Sequence, residues 1–267
     1  MSPDQQMPDK SPKPKIEKQR LDLLLVERGL AESRQKAQAM LLAGEVRVNG
    51  QRHDKPGERV SSDAPIEIAG THLRYVSRGG FKLEGALDDF GVDPSGKICL
   101  DVGSSTGGFT DCFLQRGAIH VYAVDVTPDQ IAWKLQQDAR VTRIKRNARE
   151  LTREDLTTSV SRAESYAPPQ LVSIDLAFIS VAKVLPAVVP IAAECAEFLI
   201  LVKPQFELDR GDIGKGGIVR DAKLHERAIE RVSTAARSAG LQEKGVKPSK
   251  LPGAEGNLEF FLYAVRE

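Results

Sequence analysis

From Lys97 onward, apolar strand-like runs alternate with helix-like segments, and this alternation constrains the fold more than any other feature of the chain. The strand-like runs are KICLDVG, HVYAVDV, VTRIKR, LVSIDLA and EFLILVK. The helical patterns are GGFTDCFLQRG, DQIAWKLQQD, SVAKVLPAVVPIA and HERAIERVSTAARSAG. This order predicts an α/β fold with a doubly wound, mostly parallel, Rossmann-like sheet. The last run, LEFFLYAV, has no helix after it, and with a β-like piece at 245–250 it predicts a hairpin beside that sheet.

A glycine-rich turn, DVGSSTGG, follows the first of these strands and opens the first helix. Glycines allow the backbone to approach a ligand without a Cβ clash, and the start of the helix helps to bind that ligand. Asp125 closes the second strand, 22 residues after Gly103, where a carboxylate can accept hydrogen bonds from both hydroxyls of a ribose. Together, the turn, the acid and the alternation predict a nucleotide or nucleoside site.

The order of residues in the turn separates two classes of cofactor. The dinucleotide fingerprint is G-x-G-x-x-G, whereas this chain reads G-S-S-T-G-G and has Ser105 where the middle glycine would admit a pyrophosphate. The pattern D-x-G-x-x-x-G resembles the first motif of S-adenosylmethionine methyltransferases, which hold a methionine tail rather than phosphates. We therefore expect S-adenosyl-L-methionine rather than NAD, with Asn147 reaching the adenine. The expected cofactor-binding residues are Asp101, Gly103, Ser104, Ser105, Thr106, Gly107, Gly108, Phe109, Asp125, Asn147 and Asp175.

Residues 20–73 have a different organisation, in which two helices precede a small sheet: LDLLLVERG, ESRQKAQAMLLAG and EVRVNGQRH. Ser33 is a suitable N-cap for the second helix, and the Asn-Gly pair at 49–50 is typical of a tight hairpin turn. Arg34 and Lys36 occupy the first turn of the second helix, where added cations attract anions. From these residues alone, the segment fits either a site for RNA phosphates or a solvated charged face.

The string RLDLLLVERGLAESRQKAQAMLLAGEVRVNG resembles the S4-type RNA-binding domain. That family has SR-x-x-A at its second helix and V-x-V-N-G at its turn, and both patterns are present, at 33–37 and 46–50. The resemblance implies a small α+β domain that contacts structured RNA through Arg20, Arg34, Lys36 and Arg47. The same domain occurs in RNA-binding proteins of several activities, so it does not specify a reaction.

Two lysines and two acids occupy positions suited to methyl transfer onto a ribose hydroxyl. Lys203 and Asp175 end neighbouring strands at the carboxyl edge, Glu259 stands among apolar residues of the last strand, and Lys82 precedes the sheet. A 2'-hydroxyl is a poor nucleophile until it loses its proton. A lysine, whose pKa is about 10.4 in water, becomes a base near neutral pH when burial or a neighbouring cation lowers that value. Taken singly, Lys203 also fits a solvated strand end, and Lys82 an exposed helix residue.

Several strings resemble, in order, the FtsJ-type ribose methyltransferases and, within them, the TlyA (hemolysin A) family of ribosomal RNA methyltransferases: SRGGFKL, DVGSSTGGFTDC, SIDLAFIS, VKPQFE, GKGGIVRD and EGNLEFF. The Lys-Asp-Lys-Glu tetrad of the FtsJ type falls on Lys82, Asp175, Lys203 and Glu259. The resemblance implies that Lys203 is the base or lowers the hydroxyl pKa, that both acids hold the lysines, and that Lys82 positions the ribose. It also implies a cytidine ribose in ribosomal RNA as target, with ribosomal RNA or ribosomal subunits as partners.

The segment after Lys203, PQFELDRGDIGKGGIVRD, is long, glycine-rich and charged, which predicts a mobile loop over the substrate. Lys215 and Arg220 within it are expected to touch RNA phosphates. A second cationic stretch at 140–149 fits a solvated face better than an RNA surface. Because the net charge is only +1, any affinity for RNA must come from local clusters of this kind.

Residues 1–19 are polar and rich in Pro and Lys, which predicts a flexible tail rather than a secretory signal. The expected domains after this tail are an S4-like domain at 20–73, a linker at 74–78 and a methyltransferase domain at 79–267. The family has an aromatic residue in its linker, where this chain has Tyr75.

The remaining composition limits the function classes. Three cysteines form no CxxC pair and four histidines have no ligand-like spacing, so we expect buried thiols, a cytoplasmic location and no metal site. The apolar run at 184–202 contains prolines and charges, which favours a buried helix and strand over a membrane span, and no membrane partner is expected. Less favoured alternatives are a membrane-acting haemolysin, a non-catalytic ribosome-assembly factor and an NAD-dependent enzyme. Oligomeric state is left open.

Overall fold

The computed structural model describes residues 18–28, 30–31, 33–68, 74–159, 167–214, 216–253 and 256–267. The chain divides into two compact units, Met1–His72 and Leu73–Glu267. The described part of the smaller unit begins with a strand at Lys18, so Lys18 and Gln19 belong to a sheet rather than to the predicted flexible tail. The rest of that tail lies outside the described residues.

The smaller unit consists of two helices and short strands: β1 (Lys18–Arg20), α1 (Leu21–Glu27), α2 (Arg34–Leu42), β2 (Val46–Val48), β3 (Gln51–His53), β4 (Arg59–Ser61) and β5 (Ile66–Ile68). β2 is the centre of an antiparallel sheet in the order β3-β2-β5, and β1 pairs with β4. Asn49 and Gly50, with φ of 52° and 77°, form the predicted tight turn between β2 and β3. The predicted order of elements is confirmed, but the β1–β4 pair is additional, because strands this short show too little alternation to be recognised.

Capping and apolar spacing explain α2. Ser33 has an extended backbone, and its hydroxyl accepts a hydrogen bond from Lys36 N at 3.2 Å, as predicted for an N-cap. Ala37, Met40 and Leu41 are buried in one cluster with the inner leucines of α1. The helix is therefore started by a local hydrogen bond and stabilised by the apolar face that it buries.

The larger unit is built on one seven-stranded sheet in the order β11-β12-β10-β9-β6-β7-β8. The strands are β6 (Ile98–Val102), β7 (His120–Asp125), β8 (Val141–Lys145), β9 (Leu171–Ile174), β10 (Glu197–Val202), β11 (Leu241–Pro248) and β12 (Phe260–Arg266). The helices are α3 (Gly79–Phe90), α4 (Gly108–Gln115), α5 (Trp133–Gln136), α6 (Arg153–Ser159), α7 (Leu185–Val188), α8 (Pro204–Glu207) and α9 (Ala222–Ser238). β6 to β10 pair in parallel, whereas β12 is antiparallel to both β10 and β11. The predicted doubly wound α/β fold with a final hairpin is confirmed.

The strand order creates a crevice at β6. This strand lies between β7 and β9, so the chain first extends the sheet on one side of β6 and later returns to its other side. At such a switch point, the loops after neighbouring strands diverge at their carboxyl ends. The glycine turn follows β6, Asp125 ends β7 and Asp175 follows β9. The fold therefore brings these predicted site residues to one place.

Both faces of the sheet are covered by helices. In β6, Leu100 and Val102 belong to one apolar cluster, which includes residues of α7 and α9. Cys99, which directly precedes Leu100, points to the other face and belongs to a second cluster, which includes residues of α3 and α4. Because neither face of β6, β9 and β10 meets solvent, these central strands are nearly continuous apolar runs in the sequence.

Proline divides the helix predicted for the apolar segment 180–192. Val181–Lys183 and Val189–Ile191 are 3-10 turns on either side of α7. Pro186 and Pro190 have no backbone N–H to donate, so a continuous α-helix would be interrupted at each of them. Among the described residues, no helix has the length and apolarity required to cross a membrane.

Other details also differ from the sequence predictions. The helix predicted for 129–138 is a 3-10 turn at Pro128–Gln130 followed by the short α5. α6 has no apolar stripe that would predict it, since Leu156 is the buried residue of its described part. Cys195 is exposed, whereas the other two cysteines are buried as predicted.

Candidate active site

A cavity of about 430 Å³ opens at the carboxyl edge of the parallel strands, within the crevice beside β6. This volume is typical of a small-molecule site. Its lining comes from the loops after β6, β7, β8 and β9: Gly103, Ser105, Val124, Asp125, Val126, Gln130, Arg146, Asn147, Ala148, Asp175, Leu176, Ala177, Phe178, Ile179 and Val184. A recess of about 120 Å³ shares part of this lining and adds the rest of the glycine turn: Ser77, Gly79, Gly103, Ser104, Ser105, Thr106, Gly108, Phe109 and Asp175.

The backbone of the glycine turn explains its residue types. Gly103 has φ of 89°, and a Cβ at this position would lie 2.1 Å from Asp175 O, so no larger residue fits. Ser105 has φ of 47°, in the left-handed region that costs a residue with a side chain about 1–2 kcal/mol. Its N–H donates to Asp125 Oδ2 at 2.9 Å. Ser105 thus adopts a glycine-like backbone and connects the turn to the acid of β7.

Asp125 and Asn147 line the part of the cavity beyond the glycine turn. The Asp125 carboxylate also accepts hydrogen bonds from Thr127 N at 2.8 Å and Thr127 Oγ1 at 3.0 Å. A carboxylate has about four acceptor positions, so three protein donors leave room for one hydroxyl of a ligand. Asn147 Oδ1 accepts a hydrogen bond from Arg149 N at 3.1 Å. This bond orients the side chain so that its amide group can donate to a purine.

The recess beside the turn contains a polar atom that the protein does not satisfy. Ser104 is 4% exposed, yet its hydroxyl has no hydrogen-bond partner within the described part of the chain. Buried polar atoms are nearly always paired in folded proteins. Asp175, on the same recess, adds a carboxylate to its lining. The unpaired hydroxyl and this carboxylate fit a ligand with its own charged and polar groups, such as the amino acid end of S-adenosylmethionine.

Asp101 and Gly107 were expected in the cofactor site but line neither of these cavities. Asp101 is fully buried, where its carboxylate accepts hydrogen bonds from Thr110 Oγ1 at 2.7 Å and Ser173 Oγ at 3.2 Å. Burial raises the pKa of Asp101 to about 7, and the two hydroxyl donors offset this only in part. Gly107 is the N-cap of α4. Both residues thus support the turn from outside the cavity.

β9 and β10 bring two members of the predicted tetrad, Asp175 and Lys203, together. Asp175 directly follows β9, and Lys203 directly follows β10 as the N-cap of α8. Lys203 Nζ lies 2.5 Å from Asp175 Oδ1, and the two side chains are 15% and 21% exposed. The pair has the distance of an ion pair without the alignment of a hydrogen bond. The attraction between these groups is therefore mainly electrostatic.

The antiparallel pairing of β10 and β12 brings the second acid to the same edge. Val202 pairs with Phe260, so Lys203 and Glu259 are the next positions along the two strands. Glu259 is 3% exposed, and its Oε2 accepts a hydrogen bond from Lys82 Nζ of α3 at 2.6 Å. The four predicted catalytic residues therefore form two lysine–carboxylate pairs that follow one another across the edge of the sheet.

Tyr75, from the predicted linker, is packed within the larger unit. Its side chain is buried, its hydroxyl donates to Glu84 Oε1 of α3 at 3.0 Å, and its ring meets Phe81 edge-on at 5.2 Å between centroids. The neighbouring Val76 N donates to Asp111 Oδ2 of α4 at 2.8 Å. This segment is therefore attached to the helix that begins at the glycine turn.

The predicted RNA-binding residues of the smaller unit fall into two groups. Arg20 donates to the buried carboxylate of Asp22 from Nε at 3.0 Å and Nη2 at 2.9 Å, and Arg34 Nε donates to the same group at 3.0 Å. The Arg20 guanidinium holds the pKa of Asp22 well below its usual range. Lys36 and Arg47 are exposed. Two of the four cations thus pair with a buried acid, whereas the other two are exposed, and Arg47 Nη1 donates to Gly50 O at 3.5 Å.

The cations predicted in the larger unit are less well defined as a site. Lys215 lies outside the described residues, and Arg220 is exposed. In the stretch 140–149, arginines pair with nearby acids, as Arg140 does with Asp138 at 2.7 Å. This pairing is typical of a solvated charged face.

Part of the cavity lining was missed by the sequence analysis. Val126 and Leu176 directly follow residues that were predicted, so the strand-end signal was present but was applied to too few positions. Phe178 is 92% exposed, has φ of 64° and lies 5.2 Å from the ring of Phe206. An exposed aromatic residue with this backbone has no signature in the sequence.

Comparisons with known proteins agree with this geometry. The FtsJ-like methyltransferase family matches residues 75–266, and the S4 domain family matches residues 19–66. The 16S/23S rRNA (cytidine-2'-O)-methyltransferase TlyA of Mycobacterium tuberculosis is 46% identical over 91% of this chain and 88% of the relative. Hemolysin A of Brachyspira hyodysenteriae is 38% identical over 92% of this chain and 99% of the relative. A solved structure from Streptococcus thermophilus has 42% identity, covers 94% of this chain and 89% of its own, and superposes with a TM-score of 0.70.

These matches cover most of the chain and confirm both family predictions made from its motifs. The chain belongs to the FtsJ-like family of S-adenosylmethionine-dependent methyltransferases, among the TlyA-related members that carry an S4 domain ahead of the catalytic one.

Proposed function

We propose that this enzyme methylates the 2'-oxygen of a cytidine ribose in ribosomal RNA. The observation that carries the proposal is the pair of lysine–carboxylate contacts beside the cavity, at 2.5 and 2.6 Å. Such an arrangement suits the removal of a proton from a hydroxyl. The S4 domain supports an RNA substrate, and the name of the mycobacterial relative supports the choice of a cytidine in ribosomal RNA.

S-adenosylmethionine supplies a methyl group that its sulfonium already activates. The residues fit this cofactor in chemical type and order. The unpaired Ser104 hydroxyl and the Asp175 carboxylate lie on one recess, which suits the amino acid end. Asp125 has an acceptor position for a ribose hydroxyl, and Asn147 lines the cavity where the adenine is expected.

Lys203 occupies the position of the base. Nζ first releases the ammonium proton of its ion pair to solvent. The neutral amine then takes the proton from the 2'-oxygen, and Asp175 at 2.5 Å stabilises the ammonium that forms again. Both side chains are mostly buried, which strengthens this attraction relative to water. The deprotonated oxygen is then a competent nucleophile for the methyl group.

Lys82 and Glu259 support the same step from the neighbouring strand. The Glu259 carboxylate is nearly inaccessible to water and therefore needs a cationic partner, which Lys82 provides. An ammonium has three donors, and Glu259 uses one of them. Lys82 is thus left with donors that can position the ribose oxygens.

Cations of both units contribute to the capture of RNA in this proposal: Arg20, Arg34, Lys36, Arg47, Lys215 and Arg220. A guanidinium has five N–H donors, and Asp22 uses only part of those on Arg20 and Arg34. Asp22 therefore fixes these two side chains while leaving donors for phosphates. Because phosphate contacts release counterions, substituting these cations should reduce the salt dependence of binding.

Methyl transfer from labelled S-adenosylmethionine to ribosomal subunits that lack the modification tests the proposal. We expect label on a ribose 2'-oxygen, and a loss of roughly 100-fold or more in Lys203→Ala. Lys97→Ala is the matched control, since Lys97 also pairs with a glutamate of β10, Glu197, but at the opposite end of the strand.

Each other outcome identifies the part of the proposal that fails. Label that survives Lys203→Ala would refute the role of Lys203 while keeping the activity. An equal loss in Lys97→Ala would indicate general destabilisation rather than catalysis. Absence of label on both subunits and on bare ribosomal RNA would refute ribosomal RNA as the substrate.

A further inference from the structure

Glu207 is a buried acid that the mechanism above does not use. It ends α8, four residues after Lys203, and is 1% exposed. Its Oε2 accepts a hydrogen bond from Ser180 Oγ at 2.5 Å, and its Oε1 accepts one from Val181 N at 2.8 Å. We call these two bonds the Glu207 clasp. A carboxylate buried here without hydrogen bonds would be strongly unfavourable. The clasp provides it with two donors.

The Glu207 clasp connects the two loops that carry the Lys203–Asp175 pair. Asp175 begins the loop after β9, and Ser180 and Val181 end it. Lys203 begins the segment after β10, and Glu207 ends its short helix. The ion pair and the clasp are therefore two polar connections between these loops.

The surroundings of the Glu207 clasp restrict its movement. Arg231 Nη1 of α9 donates to Glu207 O at 2.8 Å, which attaches the end of α8 to the longest helix of the unit. Phe206 and Phe178, one from each loop, form a ring contact at 5.2 Å. Burial raises the pKa of Glu207, and its two donors offset this in part. The clasp is thus a well-defined connection rather than a surface contact.

We propose that Glu207 is a positioning residue that joins the loops after β9 and β10 and so sets the separation of Asp175 and Lys203. The effect on activity rests on the proposed function. Without the clasp, the end of each loop is no longer tied to the other, and the base and its acid lose one of the constraints on their distance. A displacement of about 1 Å at a reacting group can lower a rate roughly 100-fold.

Variants at Glu207 separate the two bonds from the charge. Glutamine keeps an oxygen for Val181 N and adds an amide that can donate to Ser180 Oγ, whereas alanine removes both connections. We expect Glu207→Ala to lower kcat by about 10- to 100-fold at saturating cofactor and RNA, and Glu207→Gln to stay within about threefold of the unchanged enzyme. Ser180→Ala removes one bond only and should give an intermediate loss, which keeps the test available if Glu207→Ala folds poorly.

Amide hydrogen exchange gives a second readout that needs no RNA. Exchange of Val181 N–H should accelerate by about tenfold or more in Glu207→Ala and remain slow in Glu207→Gln. Glu197→Ala is the matched control. Glu197 begins β10 and accepts a hydrogen bond from Tyr263 Oη at 2.7 Å, far along the strand from the catalytic edge. Its loss should change neither kcat nor the exchange of Val181.

The outcomes distinguish this inference from the proposed function. Faster exchange in Glu207→Ala with unchanged kcat would overturn the positioning role, as would equal losses of kcat in Glu207→Ala and Glu207→Gln. An unchanged enzyme that methylates no ribosomal RNA would refute the proposed function instead. In that case the exchange of Val181 still decides whether Glu207 joins the two loops, and an unaltered exchange rate would refute it.

Discussion

Replacing Lys82 by methionine should destabilise the larger unit by about 3–5 kcal/mol, because it leaves the Glu259 carboxylate buried without its cation. The magnitude follows from burial on both sides of the pair, whose side chains are 13% and 2% exposed. In a domain of this size, each kcal/mol lowers Tm by roughly 2–4 °C. The expected decrease in Tm is therefore roughly 6–20 °C.

The double variant Lys82→Met/Glu259→Leu should recover most of this loss. Replacing a buried ion pair by apolar residues of similar volume is often neutral or stabilising, since neither charge then has to be removed from water. On the proposed mechanism, methyl transfer should be abolished in the double variant as in Lys82→Met, because Lys82 is absent from both. The pair of variants thus separates the contribution of Lys82 to stability from its contribution to the reaction.

Urea unfolding of the unchanged enzyme, both single variants and the double variant provides the coupling free energy, which should exceed about 2 kcal/mol. Fluorescence of Trp133, the single tryptophan, reports on the larger unit. Lys97→Met is the control, because Glu197 is more exposed than Glu259 and keeps a hydrogen bond from Tyr263 Oη, so this variant should lose less stability than Lys82→Met. If Lys82→Met lost less than about 1 kcal/mol, or the double variant were as unstable as the single one, the dependence of Glu259 on Lys82 would be refuted.

Three further predictions concern the cofactor turn and the smaller unit. Gly103→Ala should weaken S-adenosylmethionine binding by roughly tenfold or more in calorimetry, because its Cβ would lie 2.1 Å from Asp175 O; unchanged affinity would contradict this. Asp101 releases its proton near pH 4 when unfolded but near 7 when folded, so stability should fall by about 4 kcal/mol as pH rises between these values. Urea unfolding across this range should show no such fall in Asp101→Asn. Ser33→Ala should cost about 1 kcal/mol of stability in urea unfolding, since Lys36 N loses its acceptor, and a smaller loss than in Ser33→Gly would argue against capping.

The features predicted best from the sequence are those that depend on interactions within a few residues along the chain. Ser33 caps the helix that follows it, and the Asn-Gly pair forms its turn, because both effects act within a few residues. The alternation of apolar runs likewise predicted the parallel sheet. Once that sheet is known, the carboxyl ends of its strands bring Asp175 and Lys203 to one edge without further information.

Features that depend on distant partners could not be predicted in the same way. Asp101 looks like a cofactor ligand in its motif, but Thr110 and Ser173 show that it supports the turn from inside the protein. In the sequence, Arg20 resembles an unpaired cation, but in the structure it donates hydrogen bonds to the buried carboxylate of Asp22. Burial and partnership arise from packing, and a pattern of residue types does not specify them.

The hydrogen bond between Lys82 and Glu259 joins residues that are 177 positions apart in the chain. Closing a loop of that length in a disordered chain costs about 5 kcal/mol in entropy, so the contact forms only when intervening strands have already assembled. If Lys82 and Glu259 act as proposed, a partly folded molecule therefore holds no active centre, however much local structure it contains. Activity then requires complete folding of the larger unit. Loss of methyl transfer in denaturant should therefore coincide with the global unfolding transition rather than precede it.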